Sequence, residues 1–271
     1  NSRIEKTYQI DVHPVVIPTD SASLELGKHR VEVLCAGCHG PDLGGVANWF
    51  SVGPLGTIDS ANITSGEGGV GQRYTSVIDY VRAIRHGINP QGKPIYMPAV
   101  TALNHMSDHE LGSVIAYIQS LPPVNRQTHG HRFTPLAKIM LGAGMLGKLP
   151  VEAVDHANQP SEPQPGETVA YGKYMVTISD CMTCHGENLA GGPYPDPTIK
   201  VMVPNLTPRG ELSTWTTTDF INTIRTGFTP GKRPLSPELM PWDYYKNSTD
   251  EELTAMFLYL KSLPALPSQG K

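Results

Sequence analysis

The sequence predicts an all-α protein made of two similar halves with long loops, and three observations favour this class. A five-residue motif occurs twice, as CAGCH at 35–39 and as CMTCH at 181–185. Each half ends in a segment whose apolar residues recur at helical spacing. Gly (27) and Pro (25) are abundant, which favours short helices joined by loops over regular sheets.

The repeated motif is the signal for attachment of a c-type haem. In Cys-x-x-Cys-His the two thiols add across the porphyrin vinyl groups, and the histidine becomes the proximal iron ligand. One helical turn places the two thiols at about the separation of the vinyl groups. The alternatives for an isolated Cys-x-x-Cys are a zinc site, which needs further ligands at matching spacing, and a redox dithiol, which needs a βαβ context. Neither pattern accompanies these motifs, so we predict two haem c groups. Their attachment and proximal residues are Cys35, Cys38, His39, Cys181, Cys184 and His185.

Length and composition agree with two cofactor-filled domains. The chain has 271 residues, enough for two domains of ordinary size. Hydrophobic content of 39% and aromatic content of 7% are low for two full cores, and a porphyrin in each half makes up the deficit. A net charge of −4 argues against nucleic acid as a partner and suits a basic patch on a partner protein.

The repeat extends well beyond the haem motifs. Asn62-Ile63-Thr64 corresponds to Asn205-Leu206-Thr207, and Ile84-Arg85-x-Gly87 corresponds to Ile224-Arg225-x-Gly227. Helical character is predicted to begin near residues 23 and 167 and to run into the first cysteine of each motif.

The last helix of each half is predicted from its ends. A Ser/Thr-x-x-Glu capping-box pattern stands at residues 107–110 and 249–252. Each following apolar stripe ends at Ser-Leu-Pro, because Pro122 and Pro264 cannot continue a helix.

This arrangement resembles the class I cytochrome c fold in tandem, over roughly 23–122 and 167–264. In that fold the first and last helices cross closely with a small residue against an aromatic one, and Gly27 with Tyr117 and Gly172 with Tyr259 fit these roles. The resemblance is closest to cytochrome domains of membrane-associated dehydrogenase complexes and related oxidase subunits. The cytochrome subunits of alcohol and gluconate dehydrogenases usually carry three haem motifs, whereas this chain has two.

The resemblance implies four segments. We expect an extended N-terminal arm at 1–22, a first cytochrome c domain at 23–122, a partly helical linker at 123–166 and a second domain at 167–271. The arm can lie over a domain, tether the protein or dock on a partner. Within the linker, residues 133–149 are rich in apolar side chains and include Lys138 and Lys148. They predict a short helix packed across the two domains, with membrane contact as the alternative.

The second axial ligand decides whether such a haem carries electrons or binds small molecules. Met240, in the Pro-rich loop before the last helix, is the candidate in the second half. Met97 is its repeat partner, although it stands 11 residues before Asp108 whereas Met240 stands 10 before Asp250. The alternatives for the first iron are Met106, His86, His105 and His13.

Five further residues follow from the resemblance as contacts to haem propionates or to the ligand loop. The alternative for the arginines is a solvated charge at a helix end, and for the asparagines a turn cap. These residues are Asn62, Arg85, Asn205, Trp215 and Arg225.

The leading functional prediction is a di-haem electron carrier in the periplasm or another extracytoplasmic space. No residue needs to act as acid, base or nucleophile, because the redox chemistry belongs to the haems. The expected partners are a dehydrogenase, a quinol-oxidising complex, a terminal oxidase or a photosynthetic reaction centre. Membrane association is expected through a partner or through an N-terminal anchor outside this chain. The alternatives are a di-haem peroxidase and an assembled multi-haem conduit.

Overall fold

The fold was analysed in a computed structural model, which describes residues 3–51, 53–196 and 198–270. The chain forms two units, residues 1–161 and 162–271. Both are mostly helical with a few strands of two or three residues, so the predicted all-α class is confirmed. No helix in the described part of the chain is long and apolar enough to cross a membrane.

Unit 1 contains seven of the helices seen in the described residues, together with one small sheet. The helices are α1 (Ser21–Leu34), α2 (Ala36–His39), α3 (Val77–His86), α4 (Val100–Leu103), α5 (Asp108–Ser120), α6 (Pro135–Gly142) and α7 (Pro150–Ala153). The strands are β1 (Phe50–Ser51), β2 (Gly56–Ile58) and β3 (His131–Phe133), in the antiparallel order β1-β2-β3. Short 3-10 helices span Gly53–Leu55 and Val70–Gln72.

Helices α1 and α5 cross closely at Gly27. A Cβ atom at this position would overlap the backbone carbonyl oxygen of Ser113, so only glycine permits the approach. The backbone of Ser113 therefore faces Gly27, one helical turn before the predicted Tyr117. Beside the crossing, Arg30 donates to the Glu110 carboxylate at 2.6 Å, and both side chains are buried. This ion pair fixes α1 against the first turn of α5.

Residues 123–161 fold onto unit 1, although the sequence predicts that most of them form a linker. β3 pairs with β2, so that Thr57 lies opposite Arg132. The Asp59 carboxylate is buried, yet hydrogen bonds from the Asn48 and His129 amides and from Arg132 lower its pKa. Charge and strand pairing together hold this segment in place. The predicted boundaries at residues 122 and 166 stay a prediction.

The short helix predicted within 133–149 is present as α6. Its buried residue Leu141 belongs to an apolar cluster with Ile88, Leu149 and Val151. Residues of the predicted arm pack against the same cluster, namely Ile4, Tyr8 and Ile10. The arm therefore lies on unit 1.

Unit 2 repeats the arrangement with fewer additions. Its helices are α8 (Val169–Ile178), α9 (Cys181–His185), α10 (Thr217–Thr226), α11 (Trp242–Tyr245) and α12 (Asp250–Ser262). Its strands β4 (Gly192–Pro193) and β5 (Met202–Val203) pair antiparallel, and a 3-10 helix spans Glu211–Thr214. A Cβ atom at Gly172 would overlap the carbonyl oxygen of Ala255 and approach Cβ of Tyr259 to 2.9 Å, so α8 and α12 also cross on a glycine.

One detail of unit 2 differs from the prediction of a helix running into Cys181. The helix stops at Ile178, and α9 starts afresh after Asp180, whose backbone is left-handed with φ 56°. Aspartate tolerates this conformation better than most residues. Its carboxylate also accepts a hydrogen bond from the Thr183 hydroxyl at 2.5 Å, which stabilises the first turn of α9.

Candidate haem sites

The cysteines of both motifs lie on single helical turns. Cys35 joins α1 to α2, and Cys181 begins α9, with Cys38 and Cys184 one turn further on. All four side chains are half-buried, and no disulfide joins them. Burial raises the pKa of Cys35 and of Cys181 to about 12. The thiols of these two cysteines are therefore protonated at neutral pH.

The proximal histidines have the same partner in both units. Nδ1 of His39 lies 2.7 Å from the carbonyl oxygen of Ala61, and Nδ1 of His185 lies 2.9 Å from that of Pro204. A carbonyl oxygen only accepts, so Nδ1 carries the proton in each ring. Burial lowers the pKa of both histidines, which keeps them neutral. Each Nε2 thus keeps its lone pair, which is the donor that an iron atom needs. The residues present fit a haem.

An asparagine directly follows each of these carbonyl groups and fixes the loop that contains it. In unit 1 the Nδ2 atom of Asn62, which follows Ala61, donates to the carbonyl oxygen of Val124 at 2.6 Å. Its Oδ1 atom accepts from the amide and the hydroxyl of Thr64 at 3.0 and 2.8 Å. Asn62 is fully buried. It therefore clamps the histidine-binding loop to the chain that leaves α5.

Unit 2 repeats the clamp. Nδ2 of Asn205 donates to the carbonyl oxygen of Leu266 at 2.8 Å, and Oδ1 accepts from the amide of Thr207 at 2.8 Å. The Thr207 hydroxyl lies 3.2 Å from both the carbonyl oxygen and the amide nitrogen of Leu266. The carbonyl groups of Ala61 and Pro204 were not predicted from the sequence, because any residue can supply a backbone acceptor. The Asn-x-Thr element directly after each one was the usable signal.

The two equivalent arginines connect the ligand loops to the last helices. Arg85 donates from Nη1 to the Asp108 carboxylate at 2.6 Å and from Nη2 to the carbonyl oxygen of Met106 at 2.7 Å. Arg225 likewise donates to Asp250 at 2.6 Å and to the carbonyl oxygen of Lys246. Each guanidinium group thus closes the base of a loop that contains a candidate methionine.

These two loops begin identically and diverge before the methionine. A bridge pairs Ile88 with Pro94 in unit 1, and another pairs Phe228 with Pro234 in unit 2. The amide of residue 95 then donates to the carbonyl oxygen of Gly87, just as residue 235 donates to Gly227. From these bonds to the methionine, unit 1 takes two positions and unit 2 takes five, whereas from the methionine to the last helix unit 1 has one position more.

Both candidate methionines are half-buried and lie two or three residues before a short helix. The carbonyl oxygen of Met97 accepts from the amide of Val100 at the start of α4. The carbonyl oxygen of Met240 accepts from the amide of Trp242 at the start of α11. Each methionine thus lies near the end of its loop and is partly accessible to solvent.

The alternative ligands for the first iron have other surroundings. Met106 is 1% exposed and packs in the core of unit 1. His86 is buried with its Nδ1 atom 3.0 Å from Nδ1 of His156. His105 lies 3.3 Å from the amide nitrogen of Asn158, and the His13 side chain is 76% exposed.

The last predicted residue, Trp215, is half-buried between the 3-10 helix at Glu211–Thr214 and α10. Tyr74, at the nearest corresponding position of unit 1, packs edge-on against Tyr80 at a ring-centroid distance of 5.2 Å, and burial raises the pKa of Tyr74 to about 12. In the part of the chain that the structure describes, no group of three or more His, Cys, Asp or Glu side chains is arranged to hold a metal ion.

Comparison with known proteins agrees with this geometry. The family model described as "Cytochrome c" matches residues 24–122 and 169–264, one segment in each unit and together most of the chain. A "Diheme cytochrome c-type" protein of Cereibacter sphaeroides is 28% identical over 86% of this chain and 82% of its own length.

Two further relatives are named as subunits of dehydrogenases. The "Fructose dehydrogenase cytochrome subunit" of Gluconobacter japonicus is 28% identical over 88% of this chain and 51% of its own length. The "Alcohol dehydrogenase (quinone), cytochrome c subunit" of Komagataeibacter europaeus is 28% identical over 93% of this chain and 58% of its own length. This chain thus spans little more than half of either subunit. With a histidine held for an iron in each matched segment, the chain belongs to the cytochrome c family, carries two haem c groups and transfers electrons.

Proposed function

We propose that each haem is attached through the two cysteines of its motif and ligated by one histidine and one methionine. The attachment residues are Cys35 and Cys38 in unit 1 and Cys181 and Cys184 in unit 2. The axial pairs are His39 with Met97 and His185 with Met240. The observation that carries this assignment is the repeated bond from a histidine Nδ1 to a carbonyl group in a loop that an asparagine clamps.

When bound, each haem iron takes up and releases one electron. The part of the chain itself is to orient the iron ligands and to bury the haems. Ala61 and Pro204 hold the imidazole rings in place, Asn62 and Asn205 hold these carbonyl groups, and the arginine-closed loops present a thioether. A thioether ligand favours ferrous iron and raises the potential, which suits a carrier that accepts electrons.

The relatives' names support a dehydrogenase as the electron donor. Two of them are called cytochrome subunits of fructose and alcohol dehydrogenases. We therefore propose that this chain accepts electrons from a dehydrogenase outside the cytoplasmic membrane and passes them to a further redox partner. The net charge of −4 suits a positively charged docking face on that partner.

Mass spectrometry of the denatured protein tests the attachment. The intact chain should carry the added mass of two porphyrins. The pair Cys181→Ser and Cys184→Ser should remove one porphyrin and leave the other, because the motif of unit 1 is untouched. One porphyrin or none on the intact chain would contradict the assignment.

Ligand binding separates a carrier from a peroxidase. With a thioether on each iron, carbon monoxide should bind the reduced protein poorly, and hydrogen peroxide should be consumed slowly. Rapid peroxide turnover with a small electron donor would favour the peroxidase, because that reaction needs an open position on one iron.

A further inference from the structure

An exposed apolar surface lies on α6 and the turn that follows it. Leu136 is 55% exposed, Ile139 68%, Met145 69% and Leu146 40%. We call these four side chains the α6 patch. Single exposed apolar residues are ordinary on a protein surface, but four within eleven consecutive positions form a patch that marks a contact site.

The α6 patch stands on a fixed base. Thr134 caps α6 by accepting from the amide of Ala137, and both Ala137 and Leu141 are buried. Arg3 donates to the carbonyl oxygen of Leu141 at 3.2 Å and to that of Gly147 at 3.1 Å. These bonds hold the end of the helix and the far end of the turn, so the patch is a built surface of unit 1.

The charged residues of the segment that contains the patch are all basic, and the nearby Glu152 carboxylate is paired with Arg3. No Asp or Glu stands between Glu110 and Glu152, although the chain as a whole has more acidic than basic residues. Lys138 and Lys148 lie beside the patch in the sequence and are exposed. Neither lysine forms an ion pair with any residue that the structure describes. The patch therefore combines apolar side chains with unpaired positive charge.

The composition of the α6 patch favours a lipid surface over a protein partner. Cores of protein interfaces are enriched in aromatic residues, methionine and arginine and depleted in lysine. Apart from Met145, the patch has the opposite character, since its other apolar members are aliphatic and its charges are lysines. A short helix with one apolar side and flanking lysines is typical of segments that lie in the interfacial region of a membrane. A helix of eight residues is about 12 Å long and lies on a bilayer without crossing it.

We propose that the α6 patch rests on a membrane surface containing anionic phospholipids. Leu136, Ile139, Met145 and Leu146 enter the boundary between headgroups and acyl chains. Lys138 and Lys148 bind the anionic headgroups, while their aliphatic stems extend along the apolar surface. The sequence left two alternatives for residues 133–149, a helix packed across the two domains and a membrane contact, and this proposal adopts the membrane contact.

Vesicle co-sedimentation tests the proposal with the full-length protein, measured by gel densitometry so that the result does not depend on the haems. The protein should pellet with vesicles of phosphatidylcholine mixed with phosphatidylglycerol, and much less with phosphatidylcholine alone. The pair Lys138→Gln and Lys148→Gln should weaken partitioning about fivefold for each lysine. The pair Ile139→Ser and Met145→Ser should weaken it about tenfold or more, because two exposed side chains lose their apolar contact.

Matched controls come from the same chain. Lys173→Gln with Lys232→Gln changes the charge equally at exposed positions elsewhere, and Val16→Ser with Phe228→Ser removes exposed apolar side chains elsewhere. Both control pairs should bind vesicles within twofold of the unchanged protein. Equal losses in control and patch variants, or no pelleting with anionic vesicles, would overturn the proposal. So would a dimer that Ile139→Ser with Met145→Ser disrupts in the absence of vesicle binding, because the patch would then contact a second copy.

Discussion

At the scale of single residues, the histidine of each motif depends on groups far from it in sequence. The Ala61 carbonyl group accepts from His39, and the next residue, Asn62, is held by its bond to the carbonyl oxygen of Val124. A hydrogen bond to Nδ1 makes Nε2 a stronger donor, which stabilises ferric iron. The clamp thus links the chain after the last helix to the electronic state of the haem.

The clamp can be tested in unit 2 with Asn205→Ala. This change leaves the carbonyl group of Leu266 and the amide of Thr207 without their partner in a buried place, so unit 2 should lose about 2 kcal/mol of stability. A looser Pro204 carbonyl group should also raise the potential of the second haem. Denaturant unfolding and a redox titration measure the two effects. Asn222→Ala, at an exposed position on α10, is the control and should change neither quantity.

The methionine assignment is tested where the two loops differ. Met97→Ala should remove half of the weak absorption band at the red end of the visible spectrum that methionine-ligated ferric haem gives. It should also lower the potential of the first haem, because the preference of a thioether for ferrous iron is lost. Met240→Ala should do the same at the second haem.

Met106→Ala is the informative comparison. Because Met106 is buried in the core, its removal should cost about 3 kcal/mol of stability and leave the absorption band intact. If Met106→Ala lost half of the band and Met97→Ala lost none of it, Met106 would be the ligand.

At the scale of elements, both units depend on a glycine where the first and last helices cross. Gly172→Ala would push a methyl group into the backbone of Ala255, which cannot move without separating α8 from α12. We expect a loss of about 3 kcal/mol in the stability of unit 2, measured by denaturant unfolding. Gly231→Ala is the control, because its new methyl group would meet nothing closer than 3.9 Å. Equal stability of the two variants would contradict the role of the crossing.

Elements with strong local signals were predictable from the sequence. Helices α5 and α12 begin at residues whose side chains cap them, and both end at the residue two before a proline. The haem-motif helices follow from their cysteine spacing. Helix α8 ends before Cys181, earlier than predicted, because the left-handed backbone of Asp180 has no unambiguous signature in the sequence.

The sheet and the cluster around α6 were not predictable in the same way. β2 and β3 have three residues each and are far apart in sequence. Buried Asp59 accepts from Asn48, which is close in sequence, and from His129 and Arg132, which are about 70 positions away. Pairings of this kind are decided by tertiary structure and leave no periodic pattern in so few residues. Composition nevertheless indicated an apolar helix there.

At the scale of the whole molecule, the two units differ in their titratable groups. Every histidine except His185 lies in residues 1–161. Burial, and then the nearby His156, Arg85 and His13, lower the pKa of His86 to about 4. Burial also lowers the pKa of His105 and of His131. At the position equivalent to His86, unit 2 has a threonine.

This asymmetry predicts that unit 1 is the more sensitive to acid. The unfolded chain binds a proton on His86 near pH 6.5, whereas the folded unit binds it only near pH 4, so the stability of unit 1 should fall as the pH drops through this window. The loss from His86 should reach up to about 3 kcal/mol. Hydrogen exchange followed by mass spectrometry, corrected for intrinsic rates, should show α5 losing protection while α12 keeps it. His86→Gln should reduce the difference, whereas His129→Gln, at an exposed position, should leave it. Equal losses in α5 and α12 of the unchanged protein would contradict the prediction.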